Sequence, residues 1–183
     1  MVRTELTIAG IGGQGSILAG VILGSAAVAY DGKYAVQTQA YSSELRGGFA
    51  AAWVIVSDEP VVFPRVTHPD ILVAQAQDSI NRFSRVLNPD GILITDSDMI
   101  PTPPPGIRHL FTVPATSLAR NRLKASVTAN MVMLGALCKA TKVVSRAALE
   151  KAITDAVPEG SGQLNLDALA VGFDRVRKPA GPH

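Results

Sequence analysis

Apolar and polar positions alternate along this chain with two periods, one near two residues and one near 3.6, and the periods take turns. Residues 2–9 read as a first strand. Residues 14–30, rich in Ala and Gly, read as a helix able to pack tightly on a sheet. Tyr34-Ala35-Val36-Gln37-Thr38-Gln39 has the two-residue period of a strand. Phe49–Ser57, ending in Trp53-Val54-Ile55-Val56, is the clearest strand, and after the turn Asp58-Glu59-Pro60 the run Val61-Val62-Phe63 can return as a short hairpin strand. Ile71–Ala74 is a short apolar run of the kind that buried parallel strands show. Residues 77–87 carry a helical pattern, Asn88-Pro89-Asp90-Gly91 marks a turn, and 92–95 and 108–113 add two strands. Beyond a stiff loop holding Pro101, Pro103, Pro104 and Pro105, the pattern is mostly helical. Residues 127–140 form a long apolar helix, 146–157 a helix with Ser145 as its N-cap, and 166–176 a last helix after a break over 158–163.

Strands and helices that alternate through the first two thirds predict an α/β fold. The expected architecture is a single three-layer domain over residues 1–176, its sheet mostly parallel with one antiparallel hairpin and its C-terminal third helical. Residues 177–183 are expected to be a flexible tail.

Composition narrows the function. With 183 residues, 47% of them hydrophobic, the chain can bury a sizeable core. The net charge of +2 comes from scattered Lys and Arg, and aromatics are only 5%, so the basic stripe with stacking rings that nucleic acid requires is not expected. A single cysteine, Cys138, excludes a disulfide framework and points to the cytoplasm. It also excludes a cluster held by this chain alone, which takes about four thiolates. His68, His109 and His183 lie far apart, so no metal spacing is legible. Met1 to Glu5 leads straight into a strand, with no leader pattern expected. Residues 6–30 hold no charge, but the glycines and Gln14 divide them into strand and helix, so no membrane span is expected.

The candidate chemistry starts at Gly10-Ile11-Gly12-Gly13-Gln14-Gly15-Ser16, between the first strand and the first helix. A glycine-rich turn opening a helix presents bare backbone N–H groups to an anion. Gly10, Gly12 and Gly15 satisfy the dinucleotide fingerprint, yet the second strand ends in Gln37-Thr38-Gln39 and offers no carboxylate to a ribose. A triphosphate loop needs Gly-Lys-Ser/Thr, and here Gly15 is followed by Ser16-Ile17. The bland alternative is that these glycines only permit a tight turn. The second candidate is the loop Ser42-Ser43-Glu44-Leu45-Arg46-Gly47-Gly48. Arg46 there can hold a phosphate or carboxylate, and the residues read equally well as a solvated turn.

Taken together, Gly10 to Gly15 and Gln37 to Gly48 resemble the gamma subunit of 2-oxoacid:ferredoxin oxidoreductases. Ser57-Asp58, Pro69-Asp70-Ile71-Leu72-Val73-Ala74 and Asn130 to Leu137 match in the same order, and the likeness runs from about residue 4 to residue 176. Gln37-Thr38-Gln39 is most similar to the 2-oxoglutarate branch. That branch typically carries Gly-Pro where this chain has Ser42-Ser43, a departure that makes this loop less stiff. The resemblance implies a cytoplasmic enzyme of several chains that decarboxylates a 2-oxoacid, such as 2-oxoglutarate or pyruvate, releases an acyl-coenzyme A and reduces ferredoxin. Thiamine diphosphate with its magnesium ion and the iron–sulfur clusters are then expected on partner subunits. This chain, catalytic in none of its residues, would assemble with them and help form the coenzyme A region. Its ligand-facing residues would be Gly10, Gly12, Gly13, Gln14, Gly15 and Ser16 from the first loop. Ser42, Ser43, Glu44, Arg46, Gly47 and Gly48 would come from the second. A stand-alone dinucleotide-binding oxidoreductase and a purely structural interaction subunit are the rivals. A docking subunit must also expose apolar surface; the 17% charged residues and the run from Phe49 to Val56 fit that expectation.

Overall fold

Two apolar layers, one on each face of a six-stranded sheet, organise the molecule. The computed structural model describes residues 3–41 and 48–179. In chain order the strands are β1 (Arg3–Ile11), β2 (Tyr34–Tyr41), β3 (Phe49–Ser57), β4 (Ile71–Ala74), β5 (Ile92–Asp96) and β6 (His109–Val113). The longer helices are α1 (Ser16–Ser25), α2 (Gln77–Phe83), α4 (Ala129–Thr141), α5 (Arg146–Ala156) and α6 (Gly162–Arg175), with a single turn, α3 (Ala115–Ser117), after β6. The sheet order is β2-β3-β1-β4-β5-β6. Five strands run one way, and only β3 runs against both its neighbours, β1 and β2.

Strand alternation assigns each side chain to a layer. Leu6 and Ile8 of β1, Val54 and Val56 of β3, and Ile71 and Val73 of β4 face the larger core, with α1, α4, α5 and α6. Leu72 and Ala74 of β4 and Leu93 of β5 point the other way, to Ile80 of α2, Leu87 and Ile100. The α/β reading and its mostly parallel sheet are therefore what the chain adopts. Close packing follows from small residues: a methyl group on Gly20 of α1 would lie 2.6 Å from the Cβ of Ala52 on β3. Between α4 and α6 the approach is closer still. A methyl on Gly135 would strike the carbonyl of Leu169, and one on Gly172 that of Val132.

Three expectations need correction. Residues 61–63 form no strand. Both edges of β3 are already taken, by β1 and β2, so a returning strand has nothing to pair with, and the antiparallel hairpin is β2–β3. Val62 and Phe63 remain exposed. For the same reason Phe49–Ser57 is no docking surface: Ala50 to Ala52 and Val54 to Val56 are buried. Finally, Arg177, assigned to the tail, exchanges two backbone hydrogen bonds with Thr112 of β6 (2.8 and 2.9 Å) and fastens the end of α6 to the sheet.

Smaller differences concern helix ends. The first helix starts at Ser16 and finishes in a wider π-helical turn over residues 26–30. The last begins at Gly162, four residues before the apolar pattern does. Ser145 caps α5 as expected, its Oγ accepting from the N–H of Ala148 at 3.1 Å. Among the described residues no helix is long and apolar enough to cross a membrane.

Candidate functional site

The β1–β3 ladder brings the end of β1 and the start of β3 to one edge of the sheet. Ile11, the last residue of β1, is opposite Phe49, the first of β3. One step further, the N–H of Gly12 donates to the carbonyl of Gly48 at 2.7 Å. Gly10 to Ser16 thus meets the end of the second loop in direct contact. Ser42, Ser43, Glu44, Leu45, Arg46 and Gly47 lie outside the described residues.

The glycine turn is held by side chains rather than by packing. Gly13 and Gly15 have φ of 93° and 73°, a left-handed backbone that favours glycine. The Gln14 side chain folds back: its Oε1 accepts from the N–H of Ile11 at 2.8 Å, and its Nε2 donates to the carbonyl of Gln75 at 3.2 Å. The buried Gln75 returns the tie, donating from Nε2 to Ser16 Oγ at 2.6 Å. Asn130, buried at the start of α4, donates to the carbonyl of Gly15 at 3.3 Å. Gly10 is closed in by Gln14, Ser16 and Gln75. The amide of Gln14 is therefore spent inside the loop. Gln75 and Asn130, which position the turn, carry no local sequence signal beyond a polar residue just past a buried strand and one at a helix start.

What remains open on the turn is main chain. Gly12 and Gly13 are exposed. Among the described residues no acceptor meets the N–H of Gly13 or Gly15, and no atom comes within 4 Å of where a side chain on Gly13 would begin. With the positive end of α1 directly behind, this edge suits a phosphate. A cation stands close by. Arg82 of α2 pairs with Asp78 at 2.6 Å and places its guanidinium 4.6 Å from the centre of the Phe49 ring, beside the second loop. Sequence reasoning missed it, because a helix cation is ordinarily solvated.

The geometry argues against a dinucleotide. That ligand lies across neighbouring parallel strands whose second member carries the ribose-binding acid. Here β3 separates β1 from β2, and β2 ends in Gln39-Ala40-Tyr41. The chain is no better suited to an iron–sulfur cluster: its one thiol, Cys138, is buried in the core, donates to the carbonyl of Val144 at 3.6 Å, and is pushed up in pKa chiefly by that burial.

The sequence profile of the pyruvate ferredoxin/flavodoxin oxidoreductases matches residues 5–175. The chain belongs to that family. Within it, subunit KorC of the 2-oxoglutarate synthase of Methanocaldococcus jannaschii is 44% identical over 174 residues, 94% of this chain and 93% of the relative. The gamma subunit of a keto/oxoacid ferredoxin oxidoreductase from Geobacter sulfurreducens superposes with a TM-score of 0.87 at 41% identity, covering 96% of this chain and 97% of that one. A 2-oxoglutarate:ferredoxin oxidoreductase from Magnetococcus marinus, solved with 2-oxoglutarate, coenzyme A and succinyl-CoA bound, shares the fold at 23% identity and a TM-score of 0.82. There the likeness spans all of this chain and 34% of the other. The resemblance seen in the sequence is thus correct for family and subunit type, and this oxidoreductase chain is a gamma-type one.

One further carboxylate sits at the same sheet edge of this oxidoreductase subunit, two strands away. Asp96 ends β5 and is buried. Its oxygens accept from the N–H of Asp98, Ala115 and Thr116, each at 3.1 Å, and from Thr116 Oγ1 at 2.6 Å. All these partners are structural, so Asp96 locks the β6–α3 turn rather than meeting a ligand. Burial raises its pKa, and the hydrogen bonds from Thr116 and Asp98 only partly oppose the rise. A carboxyl whose folded pKa lies above its unfolded one loses stabilisation as pH climbs from the unfolded to the folded value, and is level above that. The stability of the wild type relative to Asp96→Asn should therefore fall with rising pH across that window, as urea unfolding at a series of pH values would record. A difference that does not change with pH would refute the assignment.

Proposed function

We propose that this chain is the gamma-type subunit of a cytoplasmic 2-oxoglutarate:ferredoxin oxidoreductase, and that its joined loops form part of the coenzyme A region. The enzyme would convert a 2-oxoacid and coenzyme A to acyl-coenzyme A and carbon dioxide, passing two electrons to ferredoxin. The KorC relative favours 2-oxoglutarate as the acid, and the M. marinus protein of the same fold holds coenzyme A. Thiamine diphosphate with its magnesium ion, which supplies the decarboxylation, and the iron–sulfur clusters, which relay the electrons, would reside on partner subunits.

The observation that supports the reading is the Gly12–Gly48 hydrogen bond, since it sets the glycine turn against the last residue of the second loop. There the unclaimed N–H groups of Gly13 and Gly15 would hold a phosphate of the carrier. Arg46 and Arg82 would add charge, and Glu44 would fix the loop's polarity. Held in this way, the thiol end is delivered to the partner's active centre as a positioned reactant, which is the whole of this chain's contribution to rate.

The same reading assigns a docking face. No charged residue occurs between Ser16 and Tyr30, nor in β2. Yet Leu18, Val21 and Val28 on one side of that helix, and Tyr41 on the same face of β2, are 40–61% exposed. An exposed helix face normally carries charge; one without it is built to be covered. The thiamine-binding and iron–sulfur chains are the proposed occupants.

The test is Arg46→Ala in the assembled enzyme. Losing one charge-assisted contact to phosphate should raise KM for coenzyme A about tenfold, with kcat and assembly little changed. An unaltered KM would take Arg46 out of the site.

A further inference from the structure

The opposite edge of the sheet carries a second feature that the coenzyme A reading does not use. A cleft of about 600 Å³ opens between the turn before β2 and the junction of α4 with α5, within the size range of small-molecule sites. Four cations line it, namely Lys33, Lys139, Lys142 and Arg146, against a single carboxylate, Asp31. Arg146 is paired, through Nε, with Glu150 at 2.8 Å. Lys33 donates to the carbonyl of Val143 at 3.1 Å. Among the described residues none of the three lysines meets a carboxylate.

Asp31 does not neutralise them, because it is committed elsewhere: its two oxygens accept from Ser145 N–H and Ser145 Oγ, both at 2.6 Å. The wall of the cleft is Phe173, with Lys139 Nζ 4.8 Å and the Arg146 guanidinium 5.0 Å from its ring centre. Two like charges share one aromatic ring where a carboxylate would ordinarily stand between them. Gathering cations in a concavity raises their mutual repulsion and focuses a positive potential there. An anion seated among them relieves both. A second cleft of similar size, lined also by Lys33 and Lys142, adjoins it.

We propose that this cleft binds a small organic phosphate, held by Lys139, Lys142 and the free N–H groups of Arg146 and flanked by the Phe173 ring. A phosphate group, with its several acceptor oxygens, satisfies a fork and two ammonium groups together. The ring offers a face to any attached apolar or planar portion. The glycine turn lies at the far end of β1, about 25 Å away by the rise of a strand, so one ligand phosphate cannot serve both places. The site is independent of the coenzyme A reading and can stand or fall without it.

The experiment is calorimetric titration of the full chain with inorganic pyrophosphate, beside the Lys139→Gln/Lys142→Asn double variant. Asn is chosen at 142 because that residue closes α4 with φ 54°, a conformation Asn tolerates. The wild type should bind saturably, the double variant about tenfold or more weakly, and Lys178→Gln like the wild type. Absence of saturable binding, or equal affinity in the double variant, would overturn the proposal; the latter would assign the anion to the glycine turn. Tighter binding of an oligoglutamate peptide than of pyrophosphate would overturn it too, by making the cleft a seat for an acidic protein segment.

Discussion

Gly172→Ala is expected to cost about 3 kcal/mol or more, a large part of the stability a domain of this size possesses. The added methyl would enter the carbonyl of Val132, a backbone atom that no rotamer change can move aside. Helices α4 and α6 would have to separate, and with them the layer that holds Met131, Leu134 and Leu169 against the sheet. Gly135→Ala attacks the same contact from the other helix and should behave alike. Gly24→Ala is the control. That residue is helical with nothing within 4 Å of the new methyl, so the change should stabilise by about 0.5–1 kcal/mol through helix propensity. Thermal unfolding followed by circular dichroism separates the three. A wild-type midpoint for Gly172→Ala would mean that α4 and α6 do not approach so closely.

Val21→Asp combined with Val28→Asp should abolish assembly while leaving the isolated subunit folded. Both positions are 42–53% exposed in the free chain, where a carboxylate costs little. Covered by a partner, two unpaired carboxylates would each lose several kcal/mol of hydration, a penalty of about a thousandfold or more in affinity for the pair. Co-purification of the tagged subunit with the other chains reads this directly. Val127→Asp, at an 86% exposed position off that face, should assemble normally. Undiminished recovery of partners by the double variant would remove α1 and β2 from the interface.

Much of this was legible in the sequence where local pattern decides. The bounds of β3 and β4 and the Ser145 cap follow from runs and caps that short-range physics enforces. The place of β3 did not, because strand order is settled by pairing between distant residues. Once β3 lies between β1 and β2, residues 61–63 are excluded from the sheet and an apolar run that looked like a docking patch becomes core. The start of α6 was hidden by Ser161-Gly162-Gln163, a poor helical signal overridden by the packing of Gly172 on Val132. At the site, the glycine turn and its neighbour were visible. The role of Gln14 was not, since its partners Ile11 and Gln75 come together only in three dimensions. Gln75, Asn130 and Arg82 are site residues by proximity alone. Lys33, Lys139, Lys142 and Arg146, scattered over more than a hundred positions, looked like ordinary solvated charge.

The bond from Gly12 to Gly48 adds one rung to a ladder already nine pairs long. The two tips consequently share a mechanical fate. Inserting or deleting a residue at 12–13 would throw its partner out of step, and the mismatch could be absorbed only by unzipping β1 from β3. Homologous chains should therefore keep the spacing between β1 and Gly13 unchanged, since any insertion there is felt along the whole ladder.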